Sequence, residues 1–540
     1  MPFPRDALGS VPAVAERRSS RREFIARGAL ATLATAIAGC GGRVTTPPTT
    51  PHHGPTPPAP PTPTPPNAAA WSALGDSLQG QLVLPTDSRY ASARLVYDLR
   101  FEAAMPQGIA FCASAGDVQR VLDFARSHAI QPIPRCGGHS YGGYSTGSGL
   151  IVDVTAMNAV SVAGGVASVG AGARLIDLYA GTASAGMLVP GGSCPTVGIS
   201  GLALGGGVGV VGRRYGLTCD QIQSLVAVSA DSQVLNVSPE SEPDLYWASR
   251  GGGGGNFAIV TSFELSAYPI PTLTLFELDF PWGAAGDLLG AWQSWIAQAP
   301  DELWSNCLLL SGGDAGLTAR TAGVYTGTPS DASSLLGRLV AAVGSQPSSR
   351  FVAANDYLSA MLIEAGCSDL TVAQCHLPSV NAAGTLQRSA FIAKSQYVAT
   401  RFPSAAIGAA TDAVELFQRE LPALGGGLAF DSYGGAINAP AADATAFVHR
   451  DALCQIQLSG SLAVPLDAGS TSEVESWLEQ TASALAPYSD GQAYQNYIDP
   501  TLADWQQAYY GSNFERLVTV KHAYDPDDLF HFAQSIPTSL

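Results

Sequence analysis

The apolar positions of this chain follow two different periods, and the change between them falls near residue 272. In the first part, residues 108–112 form a short apolar run typical of a strand, and residues 117–125 place their apolar side chains on one face of a helix. A second strand-like run at 166–172 is again followed by a helical pattern, at 175–185. This alternation predicts small α/β units, in which helices cover a sheet.

The second part has the period of a half-buried strand. Phe276, Leu278 and Phe280 alternate with acidic residues, so one face of this segment is apolar and the other is polar. Further strands are expected at 308–310 and 455–458, and helices at 411–420 and 471–485. Since 540 residues are too many for one core, the patterns predict an α+β protein with one domain at 71–272 and, at 273–490, an antiparallel sheet covered by helices.

The first 40 residues are typical of an export signal. Arg21 and Arg22 open a twin-arginine signature, and the small-residue apolar stretch at 28–38 is shorter than the roughly 20 residues of a transmembrane helix. The sequence Ile-Ala-Gly-Cys at 37–40 is similar to a bacterial lipobox, in which Cys40 would be lipidated; a plain signal peptide is the alternative. We expect a periplasmic or cell-surface lipoprotein whose membrane contact is the lipid anchor alone. Twin-arginine export of folded proteins also favours a cofactor enzyme.

A proline-rich linker is expected after the signal, at residues 41–70. Eleven of the 37 prolines lie between Pro47 and Pro66, and many of them alternate with threonine. Such a composition gives an extended, semi-rigid spacer without a core of its own. The folded part of the protein is therefore expected to begin near residue 71.

Composition argues against nucleic acid as a partner and against a structural zinc site. The formal net charge is −17, and only two lysines occur, so a phosphate-binding lysine patch is not expected. The nine cysteines include no CxxC pair, and we predict no metal site. In an exported chain, Cys367 with Cys375 and Cys112 with Cys136 are candidate disulfides, although the spacing does not fix the pairing.

Three glycine-rich stretches carry the candidate chemistry. The first, 135–143, holds two pairs of glycines around His139, and a turn of this kind presents the imidazole to a ligand. The second spans residues 190–209, and the third has five consecutive glycines at 251–255, followed by a strand-like run at 257–263. Because glycine permits close approach of the backbone, these stretches predict a site for a large anion or a planar ring.

A G-x-G-x-x-G match at 207–212, with Asp231 near the distance expected of a ribose-binding acid, is typical of nicotinamide dinucleotide sites. Such a site needs a buried strand before the motif and a helix after it. Here glycines precede the motif, and residues 213–216 leave no room for a helix before the strand at 225–228. We therefore reject a nicotinamide site.

Several motifs occur in one order along the chain: R-x-G-G-H-S at 135–140, C-P-T-V-G-x-x-G at 194–201, L-G-G-G at 204–207, R-Y-G-L-T-C-D at 214–220, the segment 244–261, Y-Q-N-Y at 494–497 and D-P-D-D-L-F at 525–530. In this order they resemble the FAD-linked oxidases of the berberine bridge enzyme type. The resemblance runs from about residue 90 to the end of the chain. It implies a PCMH-type FAD-binding domain of two subdomains at 71–272, a substrate-binding sheet at 273–490, and a segment at 491–540 that returns to the FAD domain.

The resemblance also implies covalent FAD. His139 corresponds to the histidine joined to the flavin 8α-methyl group, a step that requires a neutral imidazole. Cys194 corresponds to the cysteine that bonds flavin carbon 6 in doubly linked members, but the G-G-H of many members is Ser-Gly-Leu at 200–202, so single and double linkage both stay open. The implied cofactor-binding residues are His139, Cys194, Arg135, Gly137, Gly138, Ser140, Gly191, Gly192, Thr196, Val197, Gly198, Gly201, Gly254, Asn256, Ile259 and Asn496.

The implied reaction is hydride transfer from a substrate C–H, a CH–OH group of a saccharide or another alcohol, to the flavin, which O₂ reoxidises with release of H₂O₂. Tyr497 is the expected base and Tyr494 the second candidate, while Asp431 would hydrogen-bond the substrate or the tyrosine. Val197 resembles the position that controls access of oxygen, and its small side chain favours an oxidase over a dehydrogenase.

Two other interpretations stay open from the sequence. The protein would be a tailoring oxidase of a secondary metabolite, or a cell-surface lipoprotein that has a flavin fold and binds a ligand without catalysis. Bleaching of the flavin colour by a substrate separates an enzyme from a binding module. In either enzyme interpretation the expected partners are a small-molecule substrate and molecular oxygen.

Overall fold

The computed structural model describes residues 65–540, so the predicted signal peptide and the predicted linker as far as residue 64 lie outside the described residues. The first helix begins at Ala68, where Asn67 Oδ1 accepts a hydrogen bond from the amide of Ala70. The last residues of the predicted linker thus belong to the folded part. Within residues 65–540, no helix is both long and apolar enough to cross a membrane.

The strands of the described part form four sheets. In chain order they are β1 (Gln81–Val83), β2 (Gly108–Phe111), β3 (Pro132–Arg135), β4 (Leu150–Asp153), β5 (Val160–Ala163), β6 (Val166–Gly170), β7 (Met187–Leu188), β8 (Ile222–Ser229), β9 (Val234–Val237), β10 (Ala258–Ser266), β11 (Tyr268–Pro269), β12 (Leu273–Phe280), β13 (Leu303–Gly312), β14 (Leu317–Tyr325), β15 (Ser349–Asn355), β16 (Phe391–Val398), β17 (Gly425–Ser432) and β18 (Cys454–Ser461).

The helices vary from single turns to five turns in length. In chain order they are α1 (Ala68–Ser77), α2 (Tyr90–Ala93), α3 (Ala115–Ser127), α4 (Leu175–Ser184), α5 (Ile199–Leu204), α6 (Gly212–Tyr215), α7 (Pro243–Ala248), α8 (Ala285–Ile296), α9 (Pro329–Val343), α10 (Tyr357–Glu364), α11 (Ser404–Glu420), α12 (Ala468–Leu485), α13 (Trp505–Tyr510) and α14 (Phe514–Tyr524). Short 3₁₀ turns connect several of them.

Two larger sheets build the first domain, together with the two-stranded sheet of β7 and β11. One has the strand order β1-β2-β4-β3, with β4 parallel to both of its neighbours, and the other is antiparallel with the order β5-β6-β10-β8-β9. Helix α3 begins at Ala115 because the Ser114 side chain caps it by accepting from the Asp117 amide. The strand and helix predictions for 108–112, 117–125 and 175–185 are confirmed to within a few residues.

The second domain is built on a seven-stranded antiparallel sheet with the order β15-β12-β14-β13-β17-β18-β16. Helices α8, α9, α11 and α12 cover one face, where the apolar residues of the strands, such as Cys307 and Leu309 of β13, join one core. Asn306 and Leu308 alternate with them and point to the opposite face. This arrangement confirms the predicted helix-covered antiparallel sheet.

The C-terminal segment packs against the first domain. Tyr509, Leu517 and Phe530 are almost fully buried and belong to the same core as Val228 and Phe263 of the antiparallel sheet. The chain therefore leaves the first domain, builds the second one, and returns to complete the core of the first.

One of the two predicted disulfides is present. Cys367 and Cys375 are bonded, whereas Cys112 and Cys136 are both thiols, and Cys136 Sγ donates to Ala171 O. Cys112 follows β2 and Cys136 follows β3, with β4 between these strands. Two strand spacings are about 9–10 Å, beyond the span of a disulfide, so the prediction for Cys112 with Cys136 is wrong.

The G-x-G-x-x-G motif, which we rejected as a nicotinamide site, lies in a loop. Residues 207–212 follow the helix α5 and lead into the single turn of α6. Asp231 lies in the turn between β8 and β9, where its carboxylate accepts from the Ser229 hydroxyl. A dinucleotide motif would need a strand before it and a full helix after it, and residues 207–212 have neither.

Candidate functional site

A cavity of about 720 Å³ lies between the glycine-rich loops of the first domain and the exposed face of the seven-stranded sheet. The C-terminal segment closes one side of it, through residues 494–498. Of the residues predicted for the site, all but Gly191 line this cavity. Gly191 lies behind the wall, where its carbonyl faces Gly209 so closely that a Cβ on Gly209 would come within 1.7 Å of it. The Gly191 carbonyl therefore packs against the loop at Gly209.

The first two glycine loops touch each other through their glycines. A Cβ added to Gly137 would lie 2.3 Å from Gly198 N, and one added to Gly198 would lie 2.1 Å from Cys136 Sγ. Gly138 has a φ of +66°, which side chains rarely allow. These glycines therefore bring the two loops, with His139 on one and Cys194 on the other, to one wall of the cavity.

Four buried hydrogen-bond donors on the cavity wall have no partner among the described residues; one is Trp304 Nε1, and the other three lie in or next to the first glycine loop. Arg135 donates from Nε to Asp153 at 2.6 Å and from Nη2 to Ala93 O at 2.8 Å, but its Nη1 is unpaired, as are the hydroxyls of Ser145 and Thr146. Leaving buried donors unpaired costs about 1–3 kcal/mol each, so this group indicates a site for a polar, electron-rich ligand. Sequence reasoning missed Ser145 and Thr146, which follow the first glycine loop directly.

His139 is held as a neutral imidazole. Its Nε2 lies 2.9 Å from Thr196 Oγ1, and its ring stacks on Tyr97 with 4.0 Å between ring centroids. Burial lowers the pKa of His139 to about 3, and repulsion by the buried Arg174 guanidinium adds to this effect. A neutral imidazole is a competent nucleophile at ordinary pH. Tyr97, remote in sequence, was not predicted.

Cys194 and Val197 lie on the loop between β7 and α5. Cys194 is exposed, is not in a disulfide, and faces the same cavity as His139. Val197 is partly exposed on the cavity wall, and its carbonyl accepts from the Leu175 amide at the start of α4. Helix α4 thus fixes the loop that carries both side chains.

The two predicted catalytic tyrosines have different surroundings. The Tyr494 hydroxyl accepts from Gly207 N at 2.8 Å and from Asn496 Nδ2 at 2.9 Å, and burial raises the pKa of Tyr494 to about 12. Tyr497 is partly exposed in the cavity and stacks parallel to Tyr141, with ring centroids 5.2 Å apart. The Tyr494 hydroxyl is therefore engaged with the glycine loop and with Asn496, whereas the Tyr497 ring is partly exposed on the cavity wall.

A row of polar residues crosses the seven-stranded sheet on the cavity side. Strand register places Glu277, Asn306, Asp431 and Gln455 in line, with Ala322 between the first two. The first three of these polar residues line the cavity. A sheet face with carboxylate and amide groups suits a ligand with several hydroxyls.

Arg320 adds a cation beside this row. It lies 2.9 Å from Glu277 Oε2 and 2.5 Å from Asp279 Oδ1, and it lines the cavity. The sequence did not single out Arg320 or Asn306. The only sequence feature that marks them is the alternation of polar and apolar residues along a strand. This alternation shows which face is polar but not what that face binds.

The chain is similar to known flavoproteins. Residues 106–238 match a family model described as FAD binding domain, and residues 493–537 match one described as berberine and berberine like. Over 468 residues the chain is 31% identical to the FAD-linked oxidoreductase YgaK of Bacillus subtilis (strain 168). The match covers 85% of this chain and 97% of YgaK.

Two solved structures have the same architecture over 87% of this chain and 99% of their own. One is BBE-like 1 of Physcomitrella patens, with 29% identity and a TM-score of 0.79. The other is a xylooligosaccharide oxidase from Myceliophthora thermophila C1 in complex with xylobiose, with 25% identity and a TM-score of 0.76.

The residues of the cavity fit FAD. The unpaired donors of Arg135, Ser145 and Thr146 and the glycine loops match the needs of a diphosphate, which binds through N–H and O–H donors and close backbone approach. His139 and Cys194 lie on the wall of the same cavity, as a flavin ring bonded to either would require.

Proposed function

Because the chain belongs to the berberine bridge enzyme-like family of FAD-linked oxidoreductases, we propose that it oxidises a CH–OH group of a saccharide or another alcohol and passes the electrons to O₂, which becomes H₂O₂. The resemblance predicted from the motifs is confirmed at the level of the family, and so is the prediction of an FAD-linked oxidoreductase. The choice of donor and of electron acceptor is the proposal.

The observation that carries the proposal is the position of Tyr497. Its partly exposed ring stands in the cavity beside Tyr141 and shares that cavity with Asn306 and Asp431 of the sheet. An aromatic surface next to a row of hydrogen-bonding groups suits the flat, hydroxyl-rich shape of a sugar. The xylooligosaccharide oxidase with xylobiose supports a saccharide for the same architecture.

FAD supplies the hydride acceptor when it is bound. The residues of the chain orient the substrate and move its proton. We infer that Tyr497, in its ionised form, takes the proton of the substrate hydroxyl while the hydride leaves the adjacent carbon. Asp431, which is almost fully buried, holds a substrate hydroxyl or Tyr497 in place.

We also propose that FAD is joined covalently through His139, and through Cys194 as a second bond. The neutral state of His139 supports the first bond, because only the unprotonated imidazole has a lone pair for the flavin methyl group. The exposure of Cys194 in the same cavity supports the second. Acid precipitation followed by mass measurement of flavin peptides tests both. His139→Ala should lose the acid-stable colour or retain it only through Cys194, and the double variant with Cys194→Ser should lose it entirely.

A peroxide-coupled screen of mono- and oligosaccharides and simple alcohols tests the reaction. Bleaching of the flavin under anaerobic conditions by at least one of these compounds, and peroxide in air, are expected. Reduction of a dye without peroxide would overturn the oxidase assignment and leave a dehydrogenase. An absence of bleaching by any sugar or alcohol would overturn the donor class.

For localisation, we propose export by the twin-arginine route and a lipid anchor at Cys40, on the sequence of residues 20–40 alone. Substitution of Arg21 and Arg22 by lysine should retain the protein in the cytoplasm. Cys40→Ala should release it from the membrane fraction without preventing export. A Cys40→Ala protein that stays in the membrane fraction would refute the anchor.

A further inference from the structure

The five-glycine loop, residues 251–255, is held by hydrogen bonds from the C-terminal segment. Gln495 Nε2 donates to Gly251 O at 2.7 Å, and the Tyr510 hydroxyl donates to Gly252 O at 3.1 Å. On its other side the loop uses the amides of Gly251 and Gly253, which both donate to Leu204 O. The loop is therefore fixed by groups that lie some 250 residues away in the sequence.

Asn256, at the end of the loop, uses its whole side chain inside the protein. Its Nδ2 donates to the carbonyls of Gly252 and Gly253, at 3.1 and 3.3 Å, and its Oδ1 accepts from the Ile536 amide at 2.9 Å. Asn256 is 1% exposed. Asn256 also lines the cavity, as the sequence predicted, while its side-chain amide holds the loop.

Lys521 of α14 holds the end of the same loop, at the backbone carbonyl of Asn256. It is fully buried, and its Nζ donates to Asn256 O, to Asp525 Oδ2 and to Phe530 O, at 2.9, 2.7 and 2.5 Å. An ammonium group has three protons, and all three are used. A buried lysine is costly unless it is paired, so its position at the end of this loop calls for a role.

The direction of the carbonyl groups determines what the loop presents to the cavity. In a trans peptide unit the C=O and the next N–H point in opposite directions. Because Asn256 holds Gly253 O on the side of the C-terminal segment, the amide of Gly254 turns the other way, and Gly254 lines the cavity. Gly253 and Gly255 have φ values of +89° and +80°, which lets the chain keep this geometry.

We propose that Lys521 and Asn256 are positioning residues for the cofactor, which orient the amide of Gly254 toward the FAD diphosphate. The C-terminal segment then contributes to cofactor affinity by fixing the loop. The inference depends on FAD as the ligand of the cavity but not on the substrate or on O₂. Its test therefore measures binding and not turnover.

Binding of FAD is measured in the His139→Ala, Cys194→Ser background, where no covalent bond can form and the flavin exchanges freely. Quenching of FAD fluorescence gives the dissociation constant, and circular dichroism and thermal unfolding report the fold. Asn256→Asp, which loses the Nδ2 donor and keeps the acceptor, should weaken FAD at least about tenfold, the effect of about 1.4 kcal/mol. Lys521→Met should weaken it by as much or more, and Tyr510→Phe by a smaller factor.

Tyr509→Phe is the matched control. Tyr509 is as buried as Tyr510 and lies in the same helix α13, but its hydroxyl accepts from the Asp499 amide and does not contact the loop. It should keep the parent affinity. Should Lys521→Met fail to fold, Asn256→Asp and Tyr510→Phe still decide the matter. Folded variants with the parent affinity, or an equal loss in Tyr509→Phe, would overturn the proposal, whereas a parent that binds no FAD would refute the cofactor assignment itself.

Discussion

Replacing each of the two tyrosines of the C-terminal motif by phenylalanine should separate catalysis from stability. Tyr497 is partly exposed in the cavity and stacks on Tyr141, whereas the Tyr494 hydroxyl is buried and accepts hydrogen bonds from Gly207 and Asn496. Each substitution removes one oxygen atom and leaves the ring in place. The variants therefore differ in what the lost hydroxyl contacts.

For Tyr497→Phe the loss should appear in turnover. A general base raises the rate of the chemical step about 10²–10⁴-fold, which corresponds to about 3–5 kcal/mol of the activation free energy. For Tyr494→Phe the loss should appear in the fold, since a buried amide at Gly207 is left without its acceptor, at about 1–3 kcal/mol. The turnover of Tyr494→Phe should fall by less than about tenfold.

The assay is anaerobic bleaching of the flavin in a stopped-flow instrument, with thermal unfolding of the same preparations. Rates are normalised to flavin content so that cofactor loss is not counted as slow chemistry. Because a tyrosine base must be ionised, the wild-type rate should rise with pH, and Tyr497→Phe should lose this rise. If Tyr494→Phe slows bleaching as much as Tyr497→Phe at equal flavin content, the assignment of the base from exposure and contacts is wrong.

Other substitutions test the acid response, the diphosphate wall and the access of oxygen. Burial lowers the pKa of His449 to about 4, whereas a histidine in the unfolded chain takes up its proton near pH 6.5. Neutral His449 therefore makes its full contribution to the free energy of unfolding above pH 6.5, and this contribution is lost as the pH falls toward 4. Between pH 7 and pH 5 this loss is about 2 kcal/mol, and thermal unfolding of His449→Asn should show a smaller acid sensitivity. Arg135→Met should lower the ratio of flavin to protein absorbance, because it removes the unpaired Nη1 donor from the cavity wall and leaves the Asp153 carboxylate without its ion pair. Val197→Leu should lower peroxide formation in air more than anaerobic bleaching, and an equal loss in both would refute its role in oxygen access.

The sequence predicted what depends on local periods and short spacings. Strand β12 follows the alternation from Phe276 to Phe280, and the disulfide of Cys367 with Cys375 joins residues only eight positions apart. The glycine loops were predicted to share a ligand, and they line one cavity. The spacing of apolar residues predicts these strands and helices because each of them buries one face.

Contacts between distant segments were not predictable from these patterns. Cys112 and Cys136 are close in sequence but are kept apart by β4, and that strand order depends on the whole sheet. Tyr97, which stacks on His139, lies in a segment without any motif. Arg320 was not singled out, because it lies in a strand that carries no motif and the sequence does not show the cavity that this strand borders.

The cofactor site cannot be complete before the end of the chain has folded. Its walls come from residues 131–148, 192–210 and 253–260, but the loop at 251–255 is held by Gln495, Tyr510 and Lys521. The second domain, which supplies the polar sheet face, is inserted between these segments. Since each wall depends on contacts with a later part of the chain, FAD should be retained only by the full-length folded protein. An enzyme built in this way is loaded most simply where the chain is made, which is the physical reason to expect export in the folded state.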